Sequence, residues 1–292
     1  MTDRRRFWST ASPEEIAQVC ADQGARIVSA QTKRMSRPVT DLCAAPAGAR
    51  DRQILCGQAF VVRAMTDTGW AFGETVVDGY SGWIETAGLD TYPDAKPSHR
   101  VMVRATYAKT TGGLKTPGAV TPLSMGSEVH VRDESDGWSR IAWTDGPLTS
   151  DLFVPSLHLC PIDTKDSDPV TIAERLLGTP YLWGGNSAFG IDCSGLVHIA
   201  CRACGIPCPG DSDQQMAQLG ESLDPGTPPE RGDLLFWKGH VGWIADPDTL
   251  LHANAYAMSV THEPLQAAIA RIAAQGDPVL RRARLTPGKK GV

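Results

Sequence analysis

Between residues 55 and 159 the chain writes one pattern twice. Leu55-Cys56-Gly57-Gln58 is matched by Leu123-Ser124-Met125-Gly126 and Gly69-Trp70 by Gly137-Trp138, both 68 residues on, and Leu89 is matched by Leu159 after 70. An offset held over several landmarks marks an internal repeat, so each copy must be one compact unit of the same kind. Short alternating segments, among them Phe60 to Arg63 and Glu128 to Arg132, are separated by Asp-Gly turns at hairpin-like spacing. Each copy is therefore expected to be a small β-barrel, with Trp70 and Trp138 capping the two cores. Tyr80 and Trp83 stand beside a Gly-rich turn, where an aromatic pair either packs inward or lines a binding groove.

The rest of the chain has a different grammar. Ser12, Pro13, Glu14 and Glu15 read as the N-cap, first position and acidic first turn of a short helix through Val19. A polar stretch from Asp163 to Asp168 reads as a linker. Val170 to Leu177 has helical spacing and is closed by Gly178. Beyond Pro225, Gly232 to Trp237, His240 to Ile244 and Thr249 to Ala253 look like successive antiparallel strands. The expected division is residues 1–30 as a helical segment, 31–95 and 96–162 as the two β copies, and 163–292 as a helix-then-sheet domain. The fold class is α+β.

Composition narrows the function classes. With 292 residues, 41% of them hydrophobic, the chain can bury two or three cores, and its net charge of −5 gives no basic footprint for nucleic acid or anionic membrane. Arg4, Arg5, Arg6 and Phe7 resemble the start of an export signal, but no apolar stretch follows, and no run is long enough to span a bilayer. The expected location is the cytoplasm. The eight cysteines are then expected as thiols. Cys201, Cys204 and Cys208 lack a second ligand pair at zinc-finger spacing and are read as core thiols, so no metal is expected.

The chemistry concentrates at Gly190 to Gly195, which reads GIDCSG. Leu196, Val197, Ala200, Cys201 and Cys204 follow at helical spacing, with His198 and Arg202 on the opposite side, so Cys193 lies in the first turn of a helix. Unpaired N–H groups there favour an anion and can draw a thiol pKa from about 8.5 to roughly 3.5–7.5 when a cation helps. Cys193 is thus either a nucleophile or a buried structural thiol. A nucleophile needs a base, and the base a third group to orient it. His240 begins one expected strand and His252 lies on the next, where the two rings can stand side by side. Taken singly, His240 can equally be an exposed turn residue and His252 a half-buried strand residue.

Pro180-Tyr181-Leu182-Trp183-Gly184-Gly185, Asp192-Cys193-Ser194-Gly195, Gly232-Asp233-Leu234-Leu235-Phe236 and Gly239-His240-Val241-Gly242, with His252 twelve residues on, resemble the NlpC-like cell-wall cysteine peptidases over residues 168 to 265. The resemblance implies a reduced papain-like domain behind two bacterial SH3-like modules, and in particular the γ-D-glutamyl-L-diamino acid endopeptidases of the dipeptidyl-peptidase VI type. It implies Cys193 as nucleophile, His240 as base, His252 as the orienting residue and Tyr181 as a hydroxyl donor to the oxyanion. The implied substrate is a murein tripeptide or tetrapeptide with a free N-terminal L-alanine, cut after γ-D-glutamate during peptidoglycan recycling, with no cofactor. Asp211, beside Ser212, would meet the substrate ammonium, and Tyr80 would approach from the first module, where Gln58 or Glu74 stands in place of a family glutamate. Asp192 and Ser194 either bind the D-glutamyl region or cap the helix, and Trp183 either floors the pocket or packs beneath its loop. Two other classes remain open: a peptide-binding protein with an inert catalytic domain, and an acyltransferase or amidase on the same frame.

Overall fold

The computed structural model describes residues 3–89, 96–145 and 148–285. The chain divides into two compact units, Met1–Asp163 and Thr164–Val292. Its sheets are almost wholly antiparallel, with short helices, so the architecture is α+β.

In the first unit the leading copy is a six-stranded sheet in the order Ala25–Arg34, Ala59–Thr66, Trp70–Thr75, Ser81–Glu85, Val39–Cys43, Arg50–Leu55. The strand Ala59–Thr66 alternates half-buried and buried positions along its length, as a strand with one face on a core requires. Phe60 and Val62 pack there with Met35, Leu42, Ile54, Tyr80 and Ile84. A second cluster joins Phe7 and Cys20 of the N-terminal segment to Ala64, Phe72 and Trp83, with the Phe72 and Trp83 rings stacked at 4.6 Å. The N-terminal segment thus shares a core with the first copy on the other side of residue 30. The helix Pro13–Asp22, closed by a Ser12–Glu15 capping box, leads straight into a strand that crosses that position and pairs with Ala59–Thr66. Trp70 joins the N-terminal cluster rather than capping a barrel.

The second copy is likewise built of antiparallel strands around its own core. Its strands form a five-stranded sheet and a three-stranded one over a single core that includes Val101, Val129, Leu123, Ile141, Leu152 and Val154. The single strand expected from Glu128 to Arg132 is broken at His130: Val129 pairs with His99 in the small sheet, and Val131 with Ile141 in the large one. A strand that changes sheets makes a corner of the kind found where two small sheets pack in a barrel-like sandwich. Trp138 lies half-buried, 6.2 Å from the Tyr107 ring and beneath the Lys109 ammonium. The repeat itself is visible in the backbone, since the paired turn glycines Gly69 and Gly137 both take positive φ, 87° and 78°. The copies also share material. Glu128 N–H donates to the Cys56 carbonyl at 2.8 Å, and Cys56 belongs to the second core. The expected junction at residue 95 lies outside the described residues.

In the second unit a helix Pro169–Glu174, capped by Asp168, is followed by a two-residue hairpin, Asn186–Ser187 with Gly190–Ile191, and the helix Cys193–Ala203. The sheet runs Glu221–Ser222, Arg281–Arg284, Asp233–Trp237, His240–Asp246, Thr249–Asn254, Ser259–Pro264, and the helix Leu265–Ala273 follows its last strand. The cysteine helix is not two-sided. Every residue from Cys193 to Ala203 is buried except Arg202, because the Pro169–Glu174 helix lies on one side and the sheet on another. His198, expected on an outer face, is buried, and its Nδ1 lies 3.1 Å from the Cys208 carbonyl.

Candidate active site

The position of Cys193 is set by its neighbour. Asp192 is the N-cap: Oδ1 accepts from Gly195 N–H at 2.7 Å and from the Ser194 hydroxyl at 3.0 Å, and Oδ2 accepts from Gly184 N–H at 2.9 Å. One carboxylate thus ties the helix start to the Gly184-Gly185 turn. The approach is too close for side chains, since a Cβ on Gly195 would lie 2.5 Å from the Gly185 carbonyl oxygen. Asp192 caps the helix with one oxygen and holds the turn with the other, and the Ser194 hydroxyl donates to it.

The Cys193 thiol is buried and faces the start of the next functional strand, with Sγ 3.9 Å from the Gly239 carbonyl oxygen. The N–H groups of Val241, Ser194 and Cys193 itself all favour the thiolate, yet burial, aided by the Asp192 charge, outweighs them and pushes the thiol up to about 12. The thiolate expected from a helix start is therefore not the resting form. Tyr181 is half-buried, its phenol pushed up by burial and by the Cys193 and Asp192 charges, so it keeps its proton and stays a donor.

His240 and His252 lie on adjacent strands. The register pairs Trp243 with Leu251, and continuing it sets Gly242 opposite His252, where a Cβ on Gly242 would fall 3.1 Å from that of His252. His240 is then the diagonal same-face neighbour of His252. Their rings meet with His240 Nε2 and His252 Nδ1 2.9 Å apart. Burial lowers both pKa values from 6.5, His240 to about 3 and His252 to about 4, so both rings are neutral at pH 7. With Nε2 engaged, Nδ1 is the ring nitrogen of His240 left for the thiol.

Two residues that sequence reading missed continue this line. His252 Nε2 lies 3.1 Å from Glu263 Oε2, and Arg271 grips both Glu263 oxygens, Nε at 2.9 Å and Nη2 at 2.6 Å. The signal was in the pairing. His252 faces Thr261 across the strands, so Glu263, two residues on, shares its face.

The expected substrate contacts are placed unevenly. Asp211 is the N-cap residue of the helix Ser212–Gln218, without a side-chain capping bond, and its charge reaches Asp192. Ser212 opens that helix and is half-buried. Trp183 stands 70% exposed at the surface. Tyr80 lies in the core of the first module with the Arg52 guanidinium 5.1 Å over its ring, which is the inward-packing alternative. Gln58 is spent on Leu55 N–H and the Gly126 carbonyl, and Glu74 is paired with Arg63. Among the described residues no group of three or more His, Cys, Asp or Glu is arranged to hold a metal ion, and no helix is long and apolar enough to cross a membrane.

Residues 178–272 match the NlpC/P60 family, and residues 42–89 match the bacterial dipeptidyl-peptidase Sh3 domain. The chain is 29% identical over 196 residues to a gamma-D-glutamyl-L-lysine dipeptidyl-peptidase of Bacillus subtilis (strain 168), covering 62% of each protein. It is 36% identical over 153 residues to the dipeptidyl-peptidase 6 of Lysinibacillus sphaericus, covering 46% of this chain and 53% of that protein. The chain thus spans less than two thirds of the length of these curated relatives. Among solved structures, an NlpC/P60 family protein from Bacillus cereus ATCC 10987 shares the fold, with a TM-score of 0.74 over 88% of this chain and 100% of that one at 20% identity.

Proposed function

We propose that this chain, a member of the NlpC/P60 family by its second unit, is a cysteine peptidase that cuts short peptidoglycan peptides between γ-D-glutamate and the following diamino acid. The observation that carries this reading is the line Cys193, His240, His252: a buried thiol at a capped helix start, facing the strand whose first residue is a neutral imidazole with a free Nδ1. Because the thiol and the imidazole are both neutral at rest, activation is a proton transfer coupled to attack. Sγ bonds to the scissile carbonyl carbon as its proton passes to His240 Nδ1. The resulting oxyanion is met by the Cys193 N–H and the Tyr181 hydroxyl. Collapse expels the amine, which takes the proton from His240, and leaves a thioester. Water then gives a proton to His240 and attacks the thioester, releasing the acid and restoring the thiol.

The substrate class is taken from the relatives, a gamma-D-glutamyl-L-lysine dipeptidyl-peptidase among them. A murein tripeptide or tetrapeptide with a free N-terminal L-alanine fits an acidic Asp211 near the cysteine box, since an ammonium needs a carboxylate partner. We assign the enzyme to peptidoglycan recycling in the cytoplasm, a setting supported by eight cysteines that are all free thiols.

Incubating the protein with L-Ala-γ-D-Glu-L-Lys and with the diaminopimelate analogue tests this directly. Release of L-Ala-γ-D-Glu is expected, with its loss in Cys193→Ala and a sharp drop when the substrate amine is acetylated. Binding without cleavage would favour an inert peptide-binding protein, and cleavage retained in Cys193→Ala would overturn the mechanism.

A further inference from the structure

We propose that Glu263 is a positioning residue of this site: held by Arg271, it fixes which nitrogen of His252 and then of His240 carries the proton, so that His240 presents a bare Nδ1 to Cys193. The inference rests on the cysteine-peptidase reading above.

The assignment follows from counting donors, starting at the far end of the line. Arg271 donates to both Glu263 oxygens, and two guanidinium N–H groups hold the side chain as an acceptor-only carboxylate, below the usual glutamate range. A carboxylate donates nothing, so at the 3.1 Å contact the proton must sit on His252 Nε2. A neutral ring carries one proton, which leaves His252 Nδ1 as an acceptor. At the 2.9 Å contact His240 must then donate from Nε2, and its Nδ1 is bare.

The other assignments fail on the same contacts. Moving the His240 proton to Nδ1 makes its Nε2 an acceptor, so His252 must donate from Nδ1, and His252 Nε2 is left facing the Glu263 oxygen with two lone pairs opposed. Protonating His252 on both nitrogens satisfies Glu263 but again forces the wrong proton onto His240. Here Arg271 has a second use. It neutralises the carboxylate that would otherwise draw a proton onto His252, and its own charge opposes an imidazolium there. His252 is fully buried, which weighs against a cation for the same reason.

Nitrogen-15 NMR of the full chain labelled at histidine reads the tautomers without substrate. Wild type is expected to show His240 and His252 both protonated at Nε2 alone from pH 6 to 8. A His240 proton on Nδ1 would overturn the proposal, whether or not any variant folds. In Glu263→Gln one oxygen must serve three donors, so the single tautomer of His252 should be lost. A wrong tautomer at the base itself costs about 10⁴ in kcat in a serine peptidase. One step further out, kcat is expected to fall roughly 10- to 1000-fold with KM within about threefold, and alkylation of Cys193 by iodoacetamide should slow in parallel. Arg271→Lys should retain more turnover than Arg271→Met. Unchanged tautomers and kcat in Glu263→Gln would refute the role of Glu263 while leaving the peptidase reading intact. Turnover persisting in Cys193→Ala would instead sink that reading and leave the tautomer result standing.

Discussion

Asp192→Ala separates a capping carboxylate from a substrate-binding one. The substitution removes three hydrogen bonds at once, from Gly195 N–H, the Ser194 hydroxyl and Gly184 N–H. Loss of an aspartate N-cap costs about 0.5–2 kcal/mol. Gly184 is buried, so its N–H is left without an acceptor and adds about 1–3 kcal/mol. Part of this is returned, because burial raises the Asp192 pKa and its charge is held at a cost. The expected net loss is about 2–4 kcal/mol. Urea unfolding of the full chain, followed on the transition of the second unit, should register it as a lower midpoint. Hydrogen exchange should show where it arises, with the Gly184 and Gly195 amides losing protection first. Turnover should fall through kcat, because the helix start that presents Cys193 has loosened. An unchanged midpoint and unchanged amide protection, with KM raised, would refute the capping argument and make Asp192 a ligand for the substrate.

Acid should destabilise the second unit through its histidines. Both folded pKa values lie below the unfolded 6.5, so the unfolded chain takes up protons first: stability is complete above about pH 6.5 and is lost as pH falls toward 4 and then 3. At about 1.4 kcal/mol per unit for each ring, urea midpoints should report a loss of about 2–4 kcal/mol between pH 6.5 and 5, and a flat profile there would contradict neutral buried imidazoles. Gly242→Ala places a Cβ 2.9 Å from Leu250 Cδ1 and 3.1 Å from His252 Cβ. Leu250 can turn aside, whereas His252 must shift, so kcat should fall at least about tenfold for a stability loss of only about 1–3 kcal/mol. Equal and small effects on both would mean that the histidine pair tolerates displacement.

What the sequence revealed of this site tracks how local each interaction is. The cysteine box was legible because an N-cap residue, a thiol and two small residues are consecutive, and the histidine pair because two strands follow each other with a short turn between them. Glu263 and Arg271 were not, since they join the site through the register of a third strand and the helix after it. Locality also misled. His198 reads as the polar side of a helix until the Cys208 loop covers it. Tyr80 reads equally as groove or core, and only the packing of Arg52, Met35 and Phe60 around it decides. Likewise nothing in Glu128 to Arg132 announces that the strand changes sheets at His130.

The bond from Glu128 to the Cys56 carbonyl, and the place of Cys56 in the second core, bear on how such a chain can be taken apart. A Cβ at Gly57 would lie 1.9 Å from the Glu128 carbonyl oxygen, so the backbones of the two copies are interlocked at this point. The repeats are therefore not interchangeable cassettes. A graft or deletion that cuts between them takes a wall from the second core.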